Sequence, residues 1–513
     1  MFRQLMLDDR NQEKIRLYRR LLTLKPDIYN FSWLSHFFTL PYSRIVSLIK
    51  EINQQLLKIE PQRGDLLTDE QKIVLTAAMP SEESLTISLI RQDIPYLFLL
   101  EVIENHYETL EDFADFYHVS PSTVRRKLLP LKNYLAQYHI TIKFSTLELL
   151  GSERTIRALL TALLWWSSRG RELPIDHFAI HEVNRQMRAC LLLSPQNEQI
   201  ATTKLLHKLD ADITYHRVAN GHYIEDFPVF GMNIMEKVLL KRGNWGSYIG
   251  APTEYWQAET SYMAFRLFYG PVYCNPHDPA LIVVREMMPS SSPQLNQFLL
   301  MLRQFIHIEL FKKTAVPPST EDEFALLLGN FITIVYNYLV FQSKIPFFLL
   351  LNVDKAMEKS RMFQALLDRC KGFFERIAQE FYQDWLDECL DDMCYIFAAM
   401  LLPDYEMSPH SLRLRVAILL DDQYVYNRWM KKFLNSLFYV DFQDFKTDKL
   451  NTCDVIITSN YQLLQPTPNT PIILFPLSNN TEDFFKLGAT LEKYYLSKIN
   501  ECDQDVSEKQ REI

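Results

Sequence analysis

Arg125, Arg126, Lys127 and Lys132 stand close together in the segment 121–139, PSTVRRKLLPLKNYLAQYH, which holds no carboxylate. Guanidinium and ammonium groups at that density can neutralise phosphates or donate to base edges. Ser122 and Thr123, just ahead of them, add short hydroxyl donors. The chemistry implied is contact with duplex DNA. A solvated basic helix that never meets nucleic acid has the same composition, so the surrounding elements decide between the two.

Those elements form a recognition unit. Leu110, Phe113, Ala114 and Tyr117 fall at helical spacing and predict a first helix with one apolar stripe. Ser120 suits an N-cap, and Pro121 suits the first helical position, where a missing N–H costs nothing. Val124, Leu128, Leu131 and Leu135 then make the inward stripe of a second helix. Pro130 is expected to kink or end that helix near Leu129. Behind it Ile140, Ile142 and Phe144 alternate with Thr141, Lys143 and Ser145, and an apolar run at 147–150 leads to Gly151. That pattern predicts a strand and a returning strand, with Lys143 in a wing beside the basic helix. The whole is a winged helix-turn-helix.

A weaker twin lies upstream. FSWLSHFFTL at 31–40 has an apolar face at Trp33, Leu34, Phe37 and Phe38. The helix expected after Ser43 buries Ile45, Leu48, Ile49, Ile52 and Leu56 and offers Arg44 and Lys50 as DNA contacts. A purely scaffolding role is the alternative for this module.

Charge sets the scale of any such contact. The 513 residues carry 54 Lys and Arg against 63 Asp and Glu, a net charge of -9, so the chain cannot be coated in nucleic acid. Residues 1–155 hold 19 basic and 20 acidic side chains. The cations therefore matter through local clustering. At 48% hydrophobic and 13% aromatic the chain can fill several cores. The seven cysteines lack paired zinc spacing, and reduced thiols in the cytoplasm are expected. The N-terminus has no apolar signal-peptide core. Phe324–Phe341 is long enough to cross a membrane, but Asn330, Thr333 and Asn337 interrupt it, so a buried helix and no membrane partner are expected.

Other chemistry is sparse. Twelve glycines are few for phosphate-cradling loops, and GxGxxG, Walker A, HExxH and GxSxG are all absent. His177 and His181, four apart beside Asp176 and Glu182, could share a helix face, yet without a third ligand no metal is expected. The acidic run Asp384, Asp387, Glu388, Asp391 and Asp392 reads as one solvated helix face. No cofactor and no enzymatic activity are expected.

The expected fold is multidomain and mainly α. A helix-turn-helix module at 1–65 and a winged one at 66–155 precede two all-helical blocks at 156–289 and 290–406, with a linker at Ser290–Pro293. A small α/β domain follows at 411–500. It is read from strands at 415–420, 455–458 and 472–475 and helices at 424–438 and 481–499, with an acidic tail at 501–513.

This order resembles the Mga/AtxA family of Gram-positive virulence transcriptional regulators over nearly the whole chain. The most specific residues are VSPSTVRRKLLPLKNYL at 119–135, the following Ile140 and LGSERTIR at 150–157. The resemblance implies a cytoplasmic DNA-binding regulator, an activator, working on double-stranded promoter DNA as a homodimer or higher homo-oligomer. Its helical blocks would be similar to phosphotransferase-system regulation domains and its C-terminus to an enzyme IIB domain, with phosphocarrier proteins as partners. Regulation domains accept phosphate on a neutral, partly exposed histidine ring. His207, with Lys204 and Lys208 nearby, and His277, in the loop CNPHDPA, are the paired candidates. His216 and His222 rival them, and His307 stands in the second block. An ordinary structural histidine is the alternative for each. The C-terminal domain departs from the active family pattern, because Asp421-Asp422-Gln423 stands where a phosphorylated cysteine would be. Oligomer contact or partner recognition is therefore expected there, with Cys453 buried at a later strand. The competing function is a signalling or antiterminator-like protein that binds phosphotransferase components or RNA through its helical blocks.

Overall fold

The computed structural model describes residues 2–68, 72–76, 78–168, 170–183, 185, 201–227, 244–270, 273–287, 293–306, 321–344, 361–380, 384–402, 413–420, 424–437, 439–444, 453–459, 470–475 and 481–509. The chain divides into two compact units, Met1–Glu309 with Pro318–Leu402, and Leu310–Pro317 with Pro403–Ile513.

The first unit is mainly helical and opens with α1 (Phe2–Met6), α2 (Asp9–Leu21), β1 (Ile28–Asn30), α3 (Phe31–Phe38), α4 (Tyr42–Ile59), β2 (Leu67–Thr68) and β3 (Lys72–Val74). Asp8 caps α2 by accepting the Asn11 N–H at 2.9 Å. Ile45, Leu48, Ile49, Ile52 and Leu56 turn α4 into the core. β3 pairs antiparallel with both β1 and β2, which makes the upstream module winged as well. The expected 65/66 boundary falls ahead of both β2 and β3, and β3 pairs with Ile28–Asn30. Strands of two and three residues are too short for a period of two to register in the sequence.

The second module repeats that design in α5 (Glu82–Ile90), α6 (Ile94–Glu104), α7 (Leu110–Phe116), α8 (Pro121–Ala136), β4 (Thr141–Lys143) and β5 (Glu148–Leu150). The turn after α3 and the turn after α7 are built alike. Thr39 and His118 both adopt left-handed φ, 53° and 54°. Leu40 N–H donates to the Ser35 carbonyl at 3.1 Å, as Val119 N–H does to that of Ala114 at 2.9 Å.

Pro130 does not end α8, contrary to expectation; the helix runs on to Ala136. Leu128 and Leu131, on either side of it, are fully buried. Each is worth roughly 1.5–3 kcal/mol of burial, enough to offset the ~3 kcal/mol of a helical proline whose exposed side leaves the freed carbonyl to water. The β4–β5 hairpin sets Ile142 opposite Leu149 and Lys143 opposite Glu148. One continuous core joins both modules and extends into the helices behind them.

The remaining helices of this unit are α9 (Glu153–Ser168) and α10 (Ala201–Ala219), which that core reaches, then α11 (Trp245–Tyr248), α12 (Trp256–Tyr269), α13 (Pro279–Met287), α14 (Pro293–Gln304), α15 (Glu321–Phe341), α16 (Arg361–Glu380) and α17 (Asp384–Leu401). The apolar helix α15 packs inside this unit, with 78% of Phe324–Phe341 buried. Asn330 is paired there: it accepts from Tyr273 N–H at 2.7 Å and donates to the Tyr273 carbonyl at 2.8 Å. The acidic face of α17 is not wholly solvated, a correction to the sequence reading. Asp392 accepts from the Tyr338 hydroxyl at 2.6 Å, Asp391 pairs with Lys371 at 2.8 Å, and Glu388 lies 3.3 Å from His139 Nε2.

The second unit contains β6 (Leu414–Leu419), α18 (Tyr424–Asn435), β7 (Val440–Asp444), β8 (Val455–Thr458), β9 (Ile472–Leu474) and α19 (Thr481–Lys509). The four strands are parallel in the order β7-β6-β8-β9. β7 was not anticipated, and α19 continues past Ile499 into the expected tail. Cys453 is half-buried just before β8 rather than buried. Asp421, Asp422 and Gln423 lie outside the described residues.

Candidate nucleic-acid interface

The site begins with the cap of α8. Ser120 Oγ accepts the Thr123 N–H at 3.2 Å and lies 2.9 Å from the hydroxyls of both Ser122 and Thr123. This fixes the start of the helix and leaves Ser122 exposed and Thr123 half-buried. Because Val124, Leu128, Leu131 and Leu135 face inward, Arg125, Arg126, Leu129, Lys132 and Asn133 are left on the solvent side. Leu129, 52% exposed, is an apolar residue in the middle of a cationic face.

The wing is tied to that face through an aromatic ring. Phe144, just past β4, has the Arg125 guanidinium 5.7 Å and the Lys132 ammonium 6.0 Å from its centroid, at the outer reach of cation–π attraction. Lys143 crosses the hairpin to Glu148 at 3.2 Å, with both side chains partly exposed. Thr146 and then Lys143 hold the Glu148 carboxyl below its ordinary pKa, against a smaller upward push from burial.

Arg125, Arg126 and Lys132 have no carboxylate partner among the described residues, so their donors are available to an anion. The upstream module differs. Arg44 is exposed but gives its guanidinium to Glu13, with Nε at 3.0 Å, and this pairing raises its pKa. Arg10 engages Glu51 at 2.6 Å. Lys50 is exposed on α4. Lys127 also departs from its expected role. It points to the inner margin of α8, where its ammonium contacts Asp93 at 2.8 Å and Asp8 at 3.1 Å. Burial depresses the Lys127 pKa, yet the two carboxylates more than offset this and leave it raised.

Residues 81–164 match the family model of the Mga helix-turn-helix domain. This segment is a Mga-type helix-turn-helix domain. No curated protein matches its sequence. The Mga domain spans α5 to α8, the wing and most of α9, so the cationic face of α8 lies at the centre of the matched segment.

Behind the Mga domain, the candidate histidines fall in different settings. His207 is 1% exposed, and neither ring nitrogen finds a hydrogen-bond partner among the described residues. Burial, with the Arg266 charge adding to it, pushes its pKa down to about 3. The partly exposed ring expected there is not present. His216 and His222 are half-buried, and burial lowers the pKa of both. His277 sits in the predicted loop, 75% exposed and 3.6 Å from Asp322. His307 lies outside the described residues. His177 precedes the helical turn that holds His181 and stacks on Tyr215 at 3.5 Å, so the pair shares no helix face. No cluster of metal-ligating side chains occurs among the described residues.

Sequence reading missed Leu129, Phe144, Glu13, Asp8 and Asp93. For Leu129 a signal existed: it lies off the 124–128–131–135 stripe. The carboxylates carried none, since their partners are distant in sequence.

Proposed function

We propose that this chain is a Mga-type transcription activator whose α8 enters the major groove of promoter DNA. The availability of Arg125, Arg126 and Lys132 on one carboxylate-free face carries the reading. The arginines would contact phosphates or guanine edges, Ser122 and Thr123 the backbone near the helix start, and Leu129 a thymine methyl. Lys143 in the wing would reach the adjacent strand.

The helices behind the Mga domain would act as phosphotransferase-type regulation domains, and the parallel α/β domain as an enzyme IIB-like partner or dimer surface without catalysis. His277, being exposed, suits a phosphocarrier protein better than enclosed His207. Phosphate there would add charge beside Asp322 and alter oligomer contacts. The protein would work in the cytoplasm as a homodimer.

The test is duplex binding of Arg125→Ala/Arg126→Ala across a salt series, with single-stranded RNA as competitor. A loss of affinity and of salt slope supports the reading. Unchanged values, or preference for RNA, would sink it.

A further inference from the structure

Lys127 belongs to the helix that would read DNA, yet it is spent inside the protein. Asp8 is the N-cap of α2 in the upstream module, and Asp93 is the N-cap of α6, accepting the Ile94 N–H at 2.9 Å. The two caps meet. Asn11 Nδ2 donates to Asp93 Oδ2 at 3.0 Å, and Asp8 N–H approaches the same oxygen at 3.4 Å. Lys127 Nζ closes the group by donating to both carboxylates. Asp93 is 2% exposed, so its charge has little water to fall back on. Around this point α1 packs on α6 and α8, with Leu5, Met6 and Leu7 buried. Arg19–Glu82 also links the two modules, but Arg19 is 58% exposed and its pairing is correspondingly weak.

We propose that Lys127 is a positioning residue that latches the recognition helix onto the upstream module through Asp8 and Asp93, so that DNA affinity depends on two carboxylates that touch no DNA. Without the ammonium, two acids face each other at a module junction and repel. α1 then loses its seat on α8, and the cationic face loses its fixed orientation. The inference rests on α8 being the DNA-contacting helix, and its test separates the two ideas.

Asp8→Asn keeps the cap, because asparagine caps as well as aspartate, but removes a negative charge. Simple electrostatics predicts tighter DNA binding for that variant; the latch predicts binding weaker by about tenfold. Lys127→Met should weaken binding by a similar factor while leaving the salt slope of the wild type, whereas losing a phosphate contact lowers the slope by about 0.9. The double variant should be no worse than the poorer single one. Amide exchange in Leu5–Leu7 should quicken in both singles, a readout that needs no DNA and remains if Lys127→Met folds poorly. Asp8→Asn binding that is unchanged or tighter, a lowered slope in Lys127→Met, or unaltered exchange would each overturn the latch. Unchanged binding by Arg125→Ala/Arg126→Ala would instead remove α8 from the DNA while leaving the exchange result to judge the latch.

Discussion

Arg217 Nη1 donates to the Val102 carbonyl at 2.9 Å, from α10 into the last turn of α6. The same guanidinium holds both oxygens of Glu153, at 2.9 and 2.6 Å, at the first residue of the helix that leaves the wing. Asn220 adds a bond to the Ile103 carbonyl at 2.8 Å. Two otherwise orphaned carbonyls at the end of α6 are thereby satisfied by a neighbouring helix. Glu153 also receives Arg157 at 2.9 Å, which in turn grips Glu259 at 2.6 Å. These bonds tie α10 directly to the base of the helix-turn-helix module.

Arg217→Met should destabilise the protein by about 1–3 kcal/mol, because Glu153 keeps only Arg157 as its cation and the Val102 carbonyl loses its donor. Chemical denaturation followed by circular dichroism measures it. A loss below about 1 kcal/mol would show that water replaces the guanidinium.

Acid should expose the enclosed ring of His207. Its folded pKa, about 3, lies below the unfolded value near 6.5, so the unfolded chain binds the extra proton as pH falls. Stability from this group is whole above about pH 6.5 and declines by about 1.4 kcal/mol per pH unit down toward pH 3. His207→Gln removes that dependence. Between pH 7 and 5 the wild type should lose roughly 2 kcal/mol more than the variant in denaturation midpoints. Parallel profiles would contradict the burial.

Salt slopes should separate the two modules. Arg125→Ala and Arg126→Ala are each expected to lower the magnitude of the log K against log salt slope by about 0.9. Arg44→Ala should change it little, since Glu13 already neutralises that guanidinium. Equal losses at all three positions would put α4 on the DNA as firmly as α8.

Gly151 joins the wing to α9 at φ 153°, and a Cβ there would meet Ile140 Cγ1 at 3.0 Å and the His139 carbonyl at 3.1 Å. Gly151→Ala should cost on the order of 1–3 kcal/mol and weaken duplex binding by displacing the wing. A variant as stable as the parent would show that the hairpin yields freely.

The sequence by itself determined the helix-turn-helix at 110–136 and its wing. Capping, apolar spacing and alternation are local signals, written in residues that touch one another along the chain. It also located β6, β8 and β9 of the C-terminal sheet, where β-branched runs such as Val455–Thr458 have few alternatives, though not β7. Tertiary packing decided what proximity along the chain cannot encode. Leu128 and Leu131 carried α8 through Pro130, and the pairing of β3 with Ile28–Asn30 made the upstream module winged. Burial withdrew His207 from solvent. Lys127 looked no different from Arg126 in sequence; only the arrival of Asp8 and Asp93, from far earlier in the chain, turned one cation inward while its neighbour stayed facing solvent.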